Sequence, residues 1–271
     1  MNRREWLRTA LSLLSATAVS PRVARASPGP TDLIVRRIPS SGEEIPVIGL
    51  GTSGPFEVGE ARAERAPLAE VLEAFFAAGA RLIDTSPMYS TAERVLGELL
   101  TDSMRRHAFI ATKVWTRGER AGIEQMTQSA QLLRREHLDL IQVHNLLDLD
   151  TQLRTLHSWK EAGRVRYVGV THYTVSAQAE LERGVAVLVN RPFEDGALFG
   201  PVHGRKLPPW AAELDAASWG QLALKFIASH PAVTCIIPAT GKVAHLEDNL
   251  AGGRGRLPDA RQREAIAQAF G

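Results

Sequence analysis

The chain has 271 residues, 44% hydrophobic and 23% charged, with a net charge of +2, a balance that places it among ordinary globular proteins with room for one large core. The pI of about 8.9 is mildly basic, but Lys and Arg are scattered and offset by 30 acidic residues, which argues against a nucleic-acid surface. The one cysteine, Cys235, excludes an intramolecular disulfide framework, and its place inside the apolar run VTCII marks it as a buried small hydrophobe.

The first 26 residues read as a targeting segment. Arg3, Arg4 and Leu7 precede a modest apolar stretch over 10–19, too short to span a bilayer, and Ala24-Arg25-Ala26 then forms a small-x-small cleavage site. This pattern resembles a twin-arginine export signal. That likeness implies a mature domain over 27–271, passage through the twin-arginine export machinery, no stable membrane insertion after cleavage, and a periplasmic or other extracytoplasmic location. An ordinary basic, flexible terminus is the alternative.

After Ser27 strand-like and helix-like runs alternate. VIGLGT over 47–52 is the first apolar run, and Leu68, Val71, Leu72, Phe75 and Phe76 then mark one helical face, with Pro67 near the start and Gly79 at the stop. RLIDT precedes a helix over 93–100, FIATKV a helix over 123–135, and LDLIQVH a helix over 151–162. VRYVGVTHY, a short helix over 176–182 and VAVLVNRPF follow. A helix over 218–229, with Trp219, Leu222, Ala223, Phe226 and Ile227 on one face, leads to VTCIIPAT and a last helix over 243–250. Such βαβα order implies parallel strands joined by right-handed crossovers.

No GxGxxG follows the first run, which favours a closed barrel over a doubly wound dinucleotide fold. The expected fold is therefore α/β, a TIM-type (β/α) barrel. Apolar runs begin near 47, 81, 109, 138, 165, 185 and 233, seven where eight are expected. The Pro-rich, aperiodic stretch GPVHGRKLPPWAAELDAASW supplies no further strand. Either the barrel is distorted there or a whole βα unit has been lost, leaving it incomplete.

Four polar residues stand at or just beyond successive strand ends: Asp84 and Tyr89 in RLIDTSPMY, Lys113 in FIATKV and His144 in LIQVHN. Converging at one mouth, they form a catalytic set in which the Lys113 cation lowers the pKa of the Tyr89 phenol and makes it a usable proton donor. Singly, each has a plainer reading: a turn-capping acid, an outward phenol, a partly buried ion pair, a satisfied histidine. Eight histidines show neither HExxH nor paired ligand spacing, so no metal site is proposed. Trp115, just after Lys113, is a candidate for the substrate pocket, whereas Trp159 lies on a helix and reads as packing. Gly49, Gly51 and Gly54 are too loosely spaced for a phosphate loop and are read as letting the chain turn near the pocket floor.

From residue 33 to residue 270 the chain resembles the aldo-keto reductases. The likeness is carried by RRIPSSGEEIPVIGLGT, GARLIDTSPMY, ATKVW, LDLIQVHN, WKEAGRVRYVGVTHY and IIPATGKVAHLEDNL. The family's tetrad of Asp, Tyr, Lys and His maps onto Asp84, Tyr89, Lys113 and His144. The resemblance implies NADPH- or NADH-dependent reduction of a small-molecule aldehyde or ketone, with Tyr89 as general acid, Asp84 fixing Lys113 and His144 orienting the substrate oxygen. It also implies cofactor contacts. Thr171 and His172 fall where relatives hold the nicotinamide carboxamide, Asn190 falls near the ring-stacking position, and Thr240, Lys242, His245 and Asn249 fall on the adenosine-phosphate segment. Ala239 stands where many NADPH-dependent relatives have Lys and His245 where they have Arg, leaving Lys242 as a substitute cation. The strand that carries a carboxamide-binding glutamine in relatives has no counterpart. A catalytically impaired barrel that binds a nucleotide or another protein is therefore the alternative function.

Overall fold

The computed structural model describes residues 32–171 and 185–271; the first 26 residues, expected to be a targeting segment, the helix expected over 176–182 and His172 lie outside the described residues. A hairpin of β1 (Val35–Arg37) and antiparallel β2 (Glu44–Pro46) comes first. Parallel strands follow: β3 (Leu50–Gly51), β4 (Leu82–Asp84), β5 (Phe109–Val114), β6 (Leu138–Val143) and β7 (Val165–Val170), hydrogen-bonded in that order, with β8 (Val187–Asn190) paired to β9 (Val233–Ile237).

The two parallel sheets are one wall. Gly49 N–H donates to Ile236 O at 2.8 Å, Ile236 N–H to Val47 O at 2.8 Å, and Gly51 N–H to Pro238 O at 3.0 Å. First and last strands thus pair as barrel closure demands. Among the described residues the strand order is β8-β9-β3-β4-β5-β6-β7, and no ladder joins β7 to β8. The seven parallel strands coincide with the seven apolar runs. Gly49 is needed at the seam, because a Cβ there would lie 2.7 Å from Leu82 O.

Alternation along the strands decides what fills the inside. At the end where the strands begin, Leu82, Phe109, Cys235 and Ile237 pack with Ile38 and Ile45 of the hairpin, and with Leu140, Tyr167 and Leu188. The hairpin is therefore the plug of the barrel. Outward-facing Leu50, Ile83, Ile110, Val114, Ile141, Val143 and Ile236 join a larger core under the helices. Both faces of the central strands are covered, which is why β5 reads as one continuous buried run. Cys235 is fully buried, and burial pushes its thiol far up from its ordinary range.

The helices largely follow the sequence. They are α1 (Arg62–Ala77), α2 (Ala92–Leu99), α3 (Asp102–His107), α4 (Glu119–Leu132), α5 (Leu149–Glu161), α6 (Trp219–Ala228), α7 (Val243–Gly252) and α8 (Ala260–Phe270). Three differ from expectation, the first being α3, an unanticipated short helix whose N-cap Thr101 accepts from the Met104 amide. Helix α1 begins ahead of Pro67, which lies inside it. Helix α8 was not anticipated at all, although Asp259 and Gln262 form a reciprocal capping box at its start. Trp159 is buried, with the Arg164 guanidinium 3.8 Å from its ring centroid, a packing role as expected.

The closed end is held by charge. Glu43, in the hairpin turn, accepts from Arg81 Nη2 at 2.8 Å and Arg166 Nη2 at 2.6 Å, with the Tyr167 hydroxyl 2.7 Å away. Arg166 also donates to Asp139, whose other oxygen accepts from Arg135 and from the Ile110 amide. Burial raises the Glu43 carboxyl, but the Tyr167 hydroxyl and the two guanidiniums outweigh it and hold the group below the usual carboxylate range. Such a group contributes stability that is complete above its unfolded value of about 4.3 and is lost as pH falls through the lower folded value. The melting temperature of the parent chain should therefore exceed that of Glu43→Gln at neutral pH and converge on it as pH drops below about 4. Parallel melting curves across the acid range would contradict this account.

Candidate functional site

A cavity of about 540 Å³ opens where β3, β4, β6, β8 and β9 end, with Asp84, Tyr89, His144 and Asn190 in its lining. The volume is that of a small-molecule site, at the barrel face where strands end and their loops begin.

Local sequence places each group. Strand β4 ends at Asp84, and the turn Ser86-Pro87-Met88-Tyr89 closes through Tyr89 N–H to Ser86 O at 3.0 Å, with Pro87 at the turn position its fixed φ suits. The Ser86 hydroxyl accepts from the Met88 amide at 3.2 Å, and α2 starts directly after, with Ala92 N–H bonded to Tyr89 O. Tyr89 thus sits on a short, braced turn rather than a long loop. Lys113 projects inward from β5. Its Nζ donates to Asp84 Oδ2 at 2.5 Å and to Thr85 O at 2.8 Å, and lies 4.8 Å from the centroid of the Tyr89 ring.

This ion pair is buried, Lys113 being 0% and Asp84 3% exposed. Burial pulls the Lys113 ammonium down, but Asp84 and Tyr89 outweigh it and hold it above the usual lysine range. His144, at the end of β6, has its Nδ1 2.8 Å from Thr171 Oγ1, which also accepts from the Asn145 amide at 3.1 Å. With Nδ1 engaged, Nε2 is the ring nitrogen left for a ligand. Burial and the Lys113 cation push the imidazole below its ordinary value, so the ring is neutral at neutral pH.

The remaining expected residues divide. Asn190 lines the cavity, and Thr171 holds His144. Trp115 is 42% exposed beyond Lys113 and does not line this cavity. Beyond β9, Thr240 is buried and its hydroxyl accepts from the Lys242 amide at 3.1 Å, at the start of α7. Lys242 and His245 are exposed there, three residues apart, while Asn249 is buried deeper along the helix. The first turn of α7 therefore offers a helix N-terminus and two basic side chains, a donor set that suits a phosphate. An amide on the cavity wall suits a carboxamide. Together these residues fit a nicotinamide dinucleotide.

Three features were not anticipated. Gln142, two residues before His144 on β6, donates to Asp84 Oδ1 at 3.1 Å. Strand alternation could have found it, since a polar residue in register with His144 on an apolar strand must face inward. Arg191 and Asp195, paired with each other, and Glu57 also border the cavity; only their place in the fold reveals them.

Residues 47–192 match the model of the aldo/keto reductase family. The chain belongs to that family. Among curated proteins it is 29% identical to methylglyoxal reductase YeaE of Escherichia coli, over 54% of this chain and 52% of that protein. It is 28% identical to the NADP-dependent D-sorbitol-6-phosphate dehydrogenase of Malus domestica, over 49% and 51%. The chain thus spans about half the length of these curated relatives. Its fold superposes more fully. The holo form of an aldo-keto reductase from Bacillus halodurans gives a TM-score of 0.69 at 19% identity, covering 88% of this chain and 96% of that one. An aldo/keto reductase from Klebsiella pneumoniae, solved with NADP and acetate, gives 0.67 at 21%, covering 87% and 95%. These likenesses establish a TIM-type barrel.

The buried pair makes a clear demand on stability. Asp84→Ala leaves the Lys113 ammonium uncompensated in the interior and should cost about 3–5 kcal/mol in chemical denaturation, whereas Asp84→Ala combined with Lys113→Met should cost less than the single change. A double variant less stable than Asp84→Ala would contradict the pairing.

Proposed function

We propose that the chain is an NAD(P)H-dependent carbonyl reductase that converts an aldehyde or ketone to an alcohol. The observation that carries this reading is the gathering of Asp84, Lys113, Tyr89 and His144 around one cavity. Family membership supports it, as do relatives named as a methylglyoxal reductase and an NADP-dependent dehydrogenase, and related barrels solved with NADP or NADPH.

Reduced nicotinamide, when bound, supplies the hydride to the carbonyl carbon. The protein's task is the oxygen, where negative charge builds. His144 Nε2–H holds that oxygen, its ring oriented by Thr171 through Nδ1. The Tyr89 phenol gives its proton to the same oxygen, and the Lys113 cation beside the ring stabilises the phenolate left behind. Asp84 keeps Lys113 charged and in place although it is wholly buried. Thr171 would hold the carboxamide, with His172 assigned beside it from sequence alone, Asn190 would border the nicotinamide ring, and Thr240, Lys242, His245 and Asn249 would hold the adenosine end. Trp115, exposed and outside the cavity lining, is given no part in holding the substrate.

We read the seven-strand wall as the loss of one βα unit between β7 and β8, and the N-terminal segment as a twin-arginine signal that exports the folded domain. Loss of that unit favours the second reading, a barrel that binds nucleotide or protein without turnover. Tyr89→Phe separates the two. A reductase should lose about 10²–10⁴-fold in carbonyl turnover with nucleotide affinity nearly unchanged. Parent protein inert toward a panel of aldehydes and ketones, or Tyr89→Phe as active as the parent, would overturn the reductase mechanism.

A further inference from the structure

The inward face of β6 carries Gln142 one layer beneath His144, and its side chain reaches the ion pair rather than solvent. Gln142 is 5% exposed, and its Nε2 donates to Asp84 Oδ1 at 3.1 Å while Lys113 occupies Oδ2. The register makes this a built arrangement. Lys113 on β5 is the ladder partner of Gln142 on β6, and Gln142 is the partner of Gly169 on β7. Gly169 leaves the space: a Cβ there would stand 3.2 Å from Gln142 Cγ and 3.3 Å from Leu140 Cδ1, so the glutamine would have to give way.

We propose that Gln142 is the positioning residue of the Asp84–Lys113 pair, seated by Gly169, and that it thereby sets the pH at which the Tyr89 phenol releases its proton. The inference rests on the reading of Tyr89 as proton donor. Two physical effects act in one direction. The amide fixes the plane of the Asp84 carboxylate, which keeps Lys113 beside the Tyr89 ring. Its N–H dipole also offsets part of the Asp84 charge that a phenolate would feel. Without the amide the cation is less firmly held and the carboxylate less compensated, and both changes oppose ionisation of Tyr89. Among the described residues, the other charged or titratable groups near the site are His144 beyond β6, Glu57 after β3, Arg191 and Asp195 after β8, and Glu93 on α2, whose carboxylate is taken by Thr112 and Ser129 and acts on Lys113. None of these changes when Gln142 does.

Gln142→Met keeps the volume and removes the donor; Gly169→Ala keeps the donor and displaces it. The ionisation of Tyr89 is read from phenolate absorbance as the difference between each protein and its Tyr89→Phe counterpart, which isolates it from the other tyrosines. Gln142→Met should move that titration upward by about one pH unit, and Gly169→Ala should move it in the same direction. The alkaline limb of kcat/KM should follow. A Tyr89 titration unmoved in both folded variants would overturn the proposal, and if Gln142→Met does not fold, Gly169→Ala alone decides. Because absorbance needs no turnover, a shifted titration in a protein that reduces no carbonyl would sink the reductase reading and leave this inference standing.

Discussion

The buried contact between Lys113 and Asp84 is the constraint around which the upper half of the barrel is organised. An ammonium with 0% exposure is tolerable only if a partner and further acceptors replace its water. Those acceptors come from the end of β4, as Asp84 Oδ2 and Thr85 O. The tips of β4 and β5 must therefore meet, the turn after β4 must carry Tyr89 over the same ammonium, and β6 must deliver an amide to the free carboxylate oxygen. A set of residues fixed by burial needs little reorganisation at the moment of reaction, which is the condition for electrostatic catalysis.

The two ends of the barrel divide the work. The closed end is apolar, plugged by Ile38 and Ile45 and locked by the Glu43–Arg166–Asp139 network. The open end is polar and carries the cavity. Alternation with a period of two makes this gradient possible, because the strands that contribute Leu82, Phe109 and Leu140 below contribute Asp84, Lys113 and Gln142 above. Seven strands are enough to do this among the described residues, since pairing of β9 with residues 47–51 closes the wall on one side whatever stands between β7 and β8.

Much of this was readable from the chain. The seven apolar runs are the seven parallel strands, and the four polar residues at or beyond their ends do meet at one mouth, because period-two alternation and parallel order leave few other arrangements. What escaped depends on contacts distant in sequence. Gln142 and Asp84 are 58 positions apart, and nothing local shows that they touch. Thr171 serves His144 through a hydroxyl whose partner only the fold supplies. The early start of α1 was hidden because ARAERAP has no apolar stripe, its first turns being exposed. Helix α8 was missed for a different reason: its capping box was written in Asp259 and Gln262, but only Ile266 and Phe270 supply large buried apolar side chains.

The central claim is that the wall built by the described strands holds a cofactor bed against the tetrad. Titration of the chain with NADPH and NADH, followed by intrinsic Trp fluorescence, tests it most directly. Saturable quenching by either nucleotide in the micromolar range is the result this account predicts. A folded protein that gives no response to either would contradict it, leaving an ordered tetrad with no cofactor bed.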